Sequence, residues 1–106
     1  MEREADLNKS CINFTMSLID SYKLFVFVEK EFVFSKRLLE SGMQVCSLYF
    51  NNDVYGAWVK AVETKFWLGL ICLICKSSDI TEIQIKSDLY EHINKLSEEL
   101  LNQFKL

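Results

Sequence analysis

A chain of 106 residues, half of them hydrophobic and a quarter charged, fits one folded domain and excludes a disordered chain. Proline is absent and glycine occurs only three times, too little turn punctuation for a β-sandwich or an α/β domain of this length. The formal net charge of −3 argues against a large phosphate-binding surface, because domains that hold nucleic acid through its backbone are usually basic.

The first predicted element covers residues 6–28. Leu7, Cys11, Phe14, Leu18, Phe25 and Val28 recur at helical steps with a gap at Ser21, and Ile12, Ile19, Tyr22 and Val26 widen the stripe. That is the pattern of a helix with a broad apolar face. Leu24-Phe25-Val26-Phe27-Val28 alone reads as a strand, being β-branched and aromatic. The periodicity runs into it without a breaker, which favours helix. The polar start, Met1-Glu2-Arg3-Glu4-Ala5-Asp6, lacks the basic region and apolar core of a signal peptide.

Glu29-Lys30-Glu31 reads as a turn, and a second helix is expected over 32–50, with Leu38, Leu39, Gly42, Val45, Cys46 and Tyr49 on one side. An interior glycine costs about 1 kcal/mol relative to alanine, so Gly42 implies a close approach of another helix. Asn51-Asn52-Asp53 supplies N-cap side chains for a third helix over 54–76. Its predicted core side carries Trp58, Ala61, Val62, Phe66, Gly69, Cys72 and Leu73, with Lys65 at the edge. The uncharged run from Phe66 to Cys75 is half the length of a membrane-spanning helix. Ser77-Ser78-Asp79 closes this segment. Thr81-Glu82-Ile83-Gln84 fits a capping box, and a fourth helix is expected over 82–104 along Ile85, Leu89, Ile93, Leu96, Leu100 and Phe104.

Four amphipathic helices of similar length joined by short turns must alternate in direction. The expected fold is all-α, a single antiparallel up-down-up-down four-helix bundle over residues 5–106.

Three stretches in order carry a resemblance: Asn8-Lys9-Ser10 with Phe14 and Ser21-Tyr22-Lys23; Glu31-Phe32-Val33-Phe34-Ser35-Lys36-Arg37-Leu38-Leu39-Glu40-Ser41-Gly42; and Ala61-Val62-Glu63-Thr64-Lys65-Phe66-Trp67-Leu68. Together they resemble the bacterial four helix bundle proteins, also called 23S rRNA-intervening-sequence proteins. The resemblance implies a left-handed up-and-down bundle, often a homopentamer, without enzymatic activity. It also implies kinship with the accessory protein of diversity-generating retroelements, which binds nucleic acid and a reverse transcriptase through a basic surface. The junction between the second and third helices is shorter here by roughly eleven residues, about three turns, which keeps the helical faces in phase.

Cys72 and Cys75 form a C-x-x-C. A redox motif of that kind sits at a helix N-terminus after a strand, whereas this one falls at a helix C-terminus, where the dipole disfavours a thiolate. In a bundle, Cys11 and Cys46 lie at one end and Cys72 and Cys75 at the other, on the order of 25 Å away, so the four cannot share a metal. Buried hydrophobic roles are expected for all of them, in a reducing cytoplasm. His92 stands alone as a boundary residue, and no second Glu-x-x-His exists for a di-iron site. No catalytic residue, cofactor or metal site is expected.

The apolar excess around the first turn and around the third helix exceeds what one bundle buries. The expected function is that of a non-enzymatic, oligomeric scaffold or accessory protein whose partner is itself, with Phe25, Phe27, Phe34, Leu68, Leu70, Ile71 and Ile74 in the interface and no membrane contact. The alternative is a nucleic-acid-binding accessory protein using Lys36, Arg37, Lys60 and Lys65, which the net charge disfavours.

Overall fold

The computed structural model of the chain describes residues 2–76 and 79–104; Ser77 and Ser78, expected to close the third segment, lie outside the described residues. Among these residues four helices alternate in direction: α1 (Glu2–Lys23), continued by a π-helical turn at Leu24–Val28, then α2 (Val33–Phe50), α3 (Val54–Ile74) and α4 (Ile80–Phe104). Each helix packs on its neighbours in sequence and α4 returns to α1, which leaves α1 and α3 at opposite corners. The result is the expected up-down-up-down bundle, 41 × 23 × 19 Å in extent.

The β-branched and aromatic run Leu24–Val28 stays helical but widens. The Glu29 amide bonds the Leu24 carbonyl at 3.1 Å and the Glu31 amide bonds Phe25 at 2.8 Å. Lys30 then takes φ 59°, a left-handed position that glycine usually fills. α2 begins without a short capping side chain at Phe32. Glu31 replaces it, its carboxylate accepting from the amides of Val33, Phe34 and Ser35 at 2.7–3.0 Å and from the Ser35 hydroxyl at 2.6 Å. Burial pushes the Glu31 carboxyl up, but these hydrogen bonds outweigh it and hold the pKa below the usual carboxylate value.

α2 ends in a Schellman motif. Asp53 N–H bonds the Leu48 carbonyl at 2.9 Å, Asn52 N–H bonds Tyr49 at 3.0 Å, and Asn52 sits at φ 65°. Asp53 then caps α3 by accepting from the Gly56 amide at 2.9 Å, as the sequence implied. The expected capping box at Thr81 is corrected. α4 starts two residues earlier than expected, at Ile80, and Asp79 is the cap, accepting from Glu82 N–H at 3.1 Å.

Leu7, Cys11, Phe14, Leu18 and Phe25 of the predicted first stripe are buried, and so is Ser21 in its gap. Ile12, Ile19 and Val28 are exposed, because the neighbours of α1 cover only the arc centred on Phe14 and Leu18. Residues Asp6–Val28 are long and apolar enough to cross a membrane by length and composition, with a mean hydropathy of 1.3. The same stretch supplies the core residues just named. On α2, Gly42 lies against α1, and a Cβ built there would stand 2.5 Å from Leu18 Cδ2. That is the close approach the sequence implied. α4 buries Leu89, Ile93, Leu96 and Leu100, and leaves Phe104 at the edge.

One ionic contact ties the π turn to α3 and α4. Lys86 pairs with Glu29 at 2.7 Å, donates to the Cys75 carbonyl at 2.6 Å and lies 5.7 Å from the centre of the Phe25 ring. Both charged side chains are about nine-tenths buried, and Glu29 Oε2 has no hydrogen-bond partner among the described residues.

Candidate functional site

α3 is apolar on every side, so its periodicity alone does not say which side faces in. The structure turns Ala57, Ala61, Thr64, Leu68 and Ile71 to the core. Small side chains win the inward positions where α2 comes close, and the Thr64 hydroxyl lies 3.0 Å from that of Ser41 and 2.7 Å from the Lys60 carbonyl. This corrects the expected core side. Val62, Phe66, Gly69 and Leu73 point outward, about 160° around the helix from the buried row at 3.6 residues per turn.

The outward row is continuous. Tyr55, Val59, Val62, Phe66, Gly69 and Leu73 follow one another at alternating steps of four and three, the spacing of a coiled-coil seam. Phe66 is 59% exposed and Leu73 70%, and Tyr55, Val59 and Val62 are exposed beside them. Together these side chains offer roughly 500 Å² of mostly apolar surface, against about 800 Å² per partner in a standard interface. That is the size of the largest patch an ordinary monomer carries. Aromatic clusters bracket the row. Near the start of α3, Tyr55, Trp58 and Phe104 pack with ring centres 5.5–6.1 Å apart. Farther along, Trp67 stacks on Phe34 at 5.9 Å and meets Phe66 edge-on at 5.1 Å. A second, shorter row, Ile12, Met16 and Ile19, is exposed on α1 at the opposite corner.

Of the interface residues expected from sequence, Phe25, Leu68 and Ile71 are fully buried inside this bundle and have no surface to offer a partner. Phe34 and Leu70 are half-buried. Phe27 and Ile74 are exposed at the end of the bundle where α1 and α3 finish. The signal that locates the longer row was in the sequence, as the alternating spacing from Tyr55 to Leu73. The inward row hid it by having the same spacing.

The basic candidates are dispersed. Lys36 and Arg37 are exposed on the first turn of α2. Lys60 pairs with Glu63 at 2.9 Å, and that contact, followed by weaker help from Trp67 and Arg37, holds the Glu63 carboxyl below its usual value. Lys65 is half-buried.

The cysteines divide between the two ends of the bundle. Cys46 Sγ lies 3.7 Å from the Cys11 carbonyl at one end. At the other, burial raises the Cys72 thiol, and burial followed by the Glu29 carboxylate pushes Cys75 up to about 12. Both C-x-x-C thiols are therefore held neutral. His92 Nδ1 sits 2.6 Å from the Ser17 hydroxyl, a link between α4 and α1. Among the described residues, no group of three or more His, Cys, Asp or Glu side chains is placed to hold a metal ion.

No family model and no curated protein matches the chain. It is similar to a solved structure from Bacteroides thetaiotaomicron, a protein of unknown function from the S23 ribosomal protein family. The two share 27% identity over 93% of this chain and 94% of that one, with a TM-score of 0.69.

Proposed function

We propose that the chain is a member of the intervening-sequence and S23 group of four-helix-bundle proteins, and that it acts without catalysis as a self-associating scaffold or accessory protein. The solved bacterial bundle and the ordered landmarks in α1, α2 and α3 support the kinship. One observation carries the functional reading: the outward seam of α3, from Val59 to Leu73, is an apolar helix face with coiled-coil spacing that stays exposed among the described residues. The exposed row on α1 lies at the opposite corner, so two copies can join α1 face to α3 face. Such head-to-tail contacts give a ring where the rotation between copies closes and an open filament where it does not.

The test is a pair of charge insertions, Val62→Asp with Phe66→Asp. Both residues point to solvent, so the variant keeps the helical circular dichroism of the wild type. It sediments at monomer mass where the wild type does not. A wild-type protein that is already monomeric, or a variant that associates unchanged, refutes the reading. The nucleic-acid alternative stands second, because Lys60 is already offset by Glu63 and Lys65 is half-buried. RNA binding that weakens steeply with salt would promote it.

A further inference from the structure

Cys11 and Cys46 come from different helices, 35 residues apart in sequence, and meet across the packing of α1 on α2. Gly42, one turn before Cys46, lets the two backbones approach by removing a Cβ that would overlap Leu18. As a result Cys46 Sγ reaches to 3.7 Å from the Cys11 carbonyl oxygen and 3.6 Å from Thr15 Oγ1, which itself donates to that carbonyl at 2.8 Å. Cys11 is buried, whereas Cys46 is partly open to solvent. We propose that these two thiols are a redox pair: Cys46 reacts first with a hydroperoxide and Cys11 resolves it, giving a reversible disulfide that staples α1 to α2.

The chemistry closes with hydrogen peroxide as the oxidant. The Cys46 thiolate takes one oxygen from the peroxide and becomes a sulfenic acid, and the peroxide's other oxygen leaves as water with the thiol proton. The Cys11 thiol then attacks the Cys46 sulfur. The S–S bond forms, the S–O bond breaks, and the hydroxyl leaves as a second water with the Cys11 proton. Two thiols give up two electrons and the peroxide accepts them.

The surroundings favour this order of events. The Cys11 thiol and, less strongly, the Thr15 hydroxyl lower the Cys46 pKa against the effect of its burial. Contact with Cys46, followed by burial, raises Cys11, so Cys46 ionises first, and oxidation of Cys46 to the neutral sulfenic acid removes the charge that holds the Cys11 proton. Cys72 and Cys75 are both held neutral. The pair that reacts is thus the one formed across two helices, while the C-x-x-C stays reduced.

Limited hydrogen peroxide on the full chain, followed by alkylation and peptide mass mapping, tests this. The expected product has two of its four thiols consumed, a Cys11–Cys46 cross-link within one chain, and full reversal by dithiothreitol. Cys46→Ser should keep its three remaining thiols at the same dose, and Cys72→Ser with Cys75→Ser should still form the cross-link. A Cys72–Cys75 disulfide formed in preference, links between chains through Cys46, or Cys46 oxidised to sulfinic acid while Cys11 stays free would each overturn the proposal.

Discussion

Replacing Gly42 by alanine sets two effects of opposite sign against each other. Alanine is the better helix former by about 1 kcal/mol. The new methyl, however, would stand 2.5 Å from Leu18 Cδ2 and 3.0 Å from Cδ1, inside the roughly 3.5–4.0 Å of optimal carbon contact. Leu18 is wholly enclosed and cannot swing to solvent, so the overlap carries an overpacking cost of about 1–3 kcal/mol. The steric term wins, and Gly42→Ala should destabilise the fold by about 1 kcal/mol. Leu18→Ala alone should cost about 2–5 kcal/mol. In that background the obstructing carbons are gone, and Gly42→Ala should stabilise by about 1 kcal/mol. The same substitution therefore changes sign, with a coupling of about 2 kcal/mol. Urea unfolding of the four proteins at one fixed protomer concentration, with an unchanged slope, measures it. If Gly42→Ala stabilises both backgrounds equally, the α1–α2 approach described here is wrong.

Other consequences are accessible to the same assay. Glu31→Gln removes a charged cap and should cost about 1 kcal/mol near neutral pH. Because the folded pKa of Glu31 is lowered, its contribution is complete above the unfolded carboxylate value and is lost as pH falls through the folded one. The wild-type advantage over Glu31→Gln should therefore vanish in acid, and a constant difference at all pH values would contradict the cap. Lys86→Met leaves Glu29 buried beside an apolar side chain and should destabilise by about 3–5 kcal/mol, whereas Lys86→Met with Glu29→Met should recover most of the loss. An equal loss in the double variant would deny the pair its role. Asn52→Gly relieves a non-glycine residue at φ 65° and should raise stability by a few tenths of a kcal/mol up to about 1. A loss there would show that the Asn52 side chain does more than occupy the turn.

The order of the helices was legible because α1, α2 and α4 each alternate apolar and polar positions along one face. Leu89, Ile93, Leu96 and Leu100 could be read off directly, since charged residues separate them. α3 carries no such contrast. Its two rows, Ala57 to Ile71 and Tyr55 to Leu73, share the same spacing, and only packing against α2 decides that the smaller one turns inward. The misplaced interface residues Leu68 and Ile71 follow from that degeneracy. Phe25 has a different cause: the stripe of α1 already placed it on the buried face, beneath Lys86, and the run of exposed phenylalanines beside it in the sequence drew it into the expected interface. Glu31 was invisible as a cap because it lies one residue before the N-cap position and reaches three amides across it. The antiparallel order placed Cys11 and Cys46 at one end of the bundle but could not show that Cys46 Sγ reaches the Cys11 carbonyl.

Self-association through the outward face of α3 stands or falls on the mass of the wild-type protein in solution. Sedimentation equilibrium of the wild-type protein across the micromolar range tests it most directly. The expected mass is a multiple of the 12.4 kDa chain, and Val62→Asp with Phe66→Asp should return the protein to a single chain. A wild-type species that holds at 12.4 kDa throughout that range would contradict it.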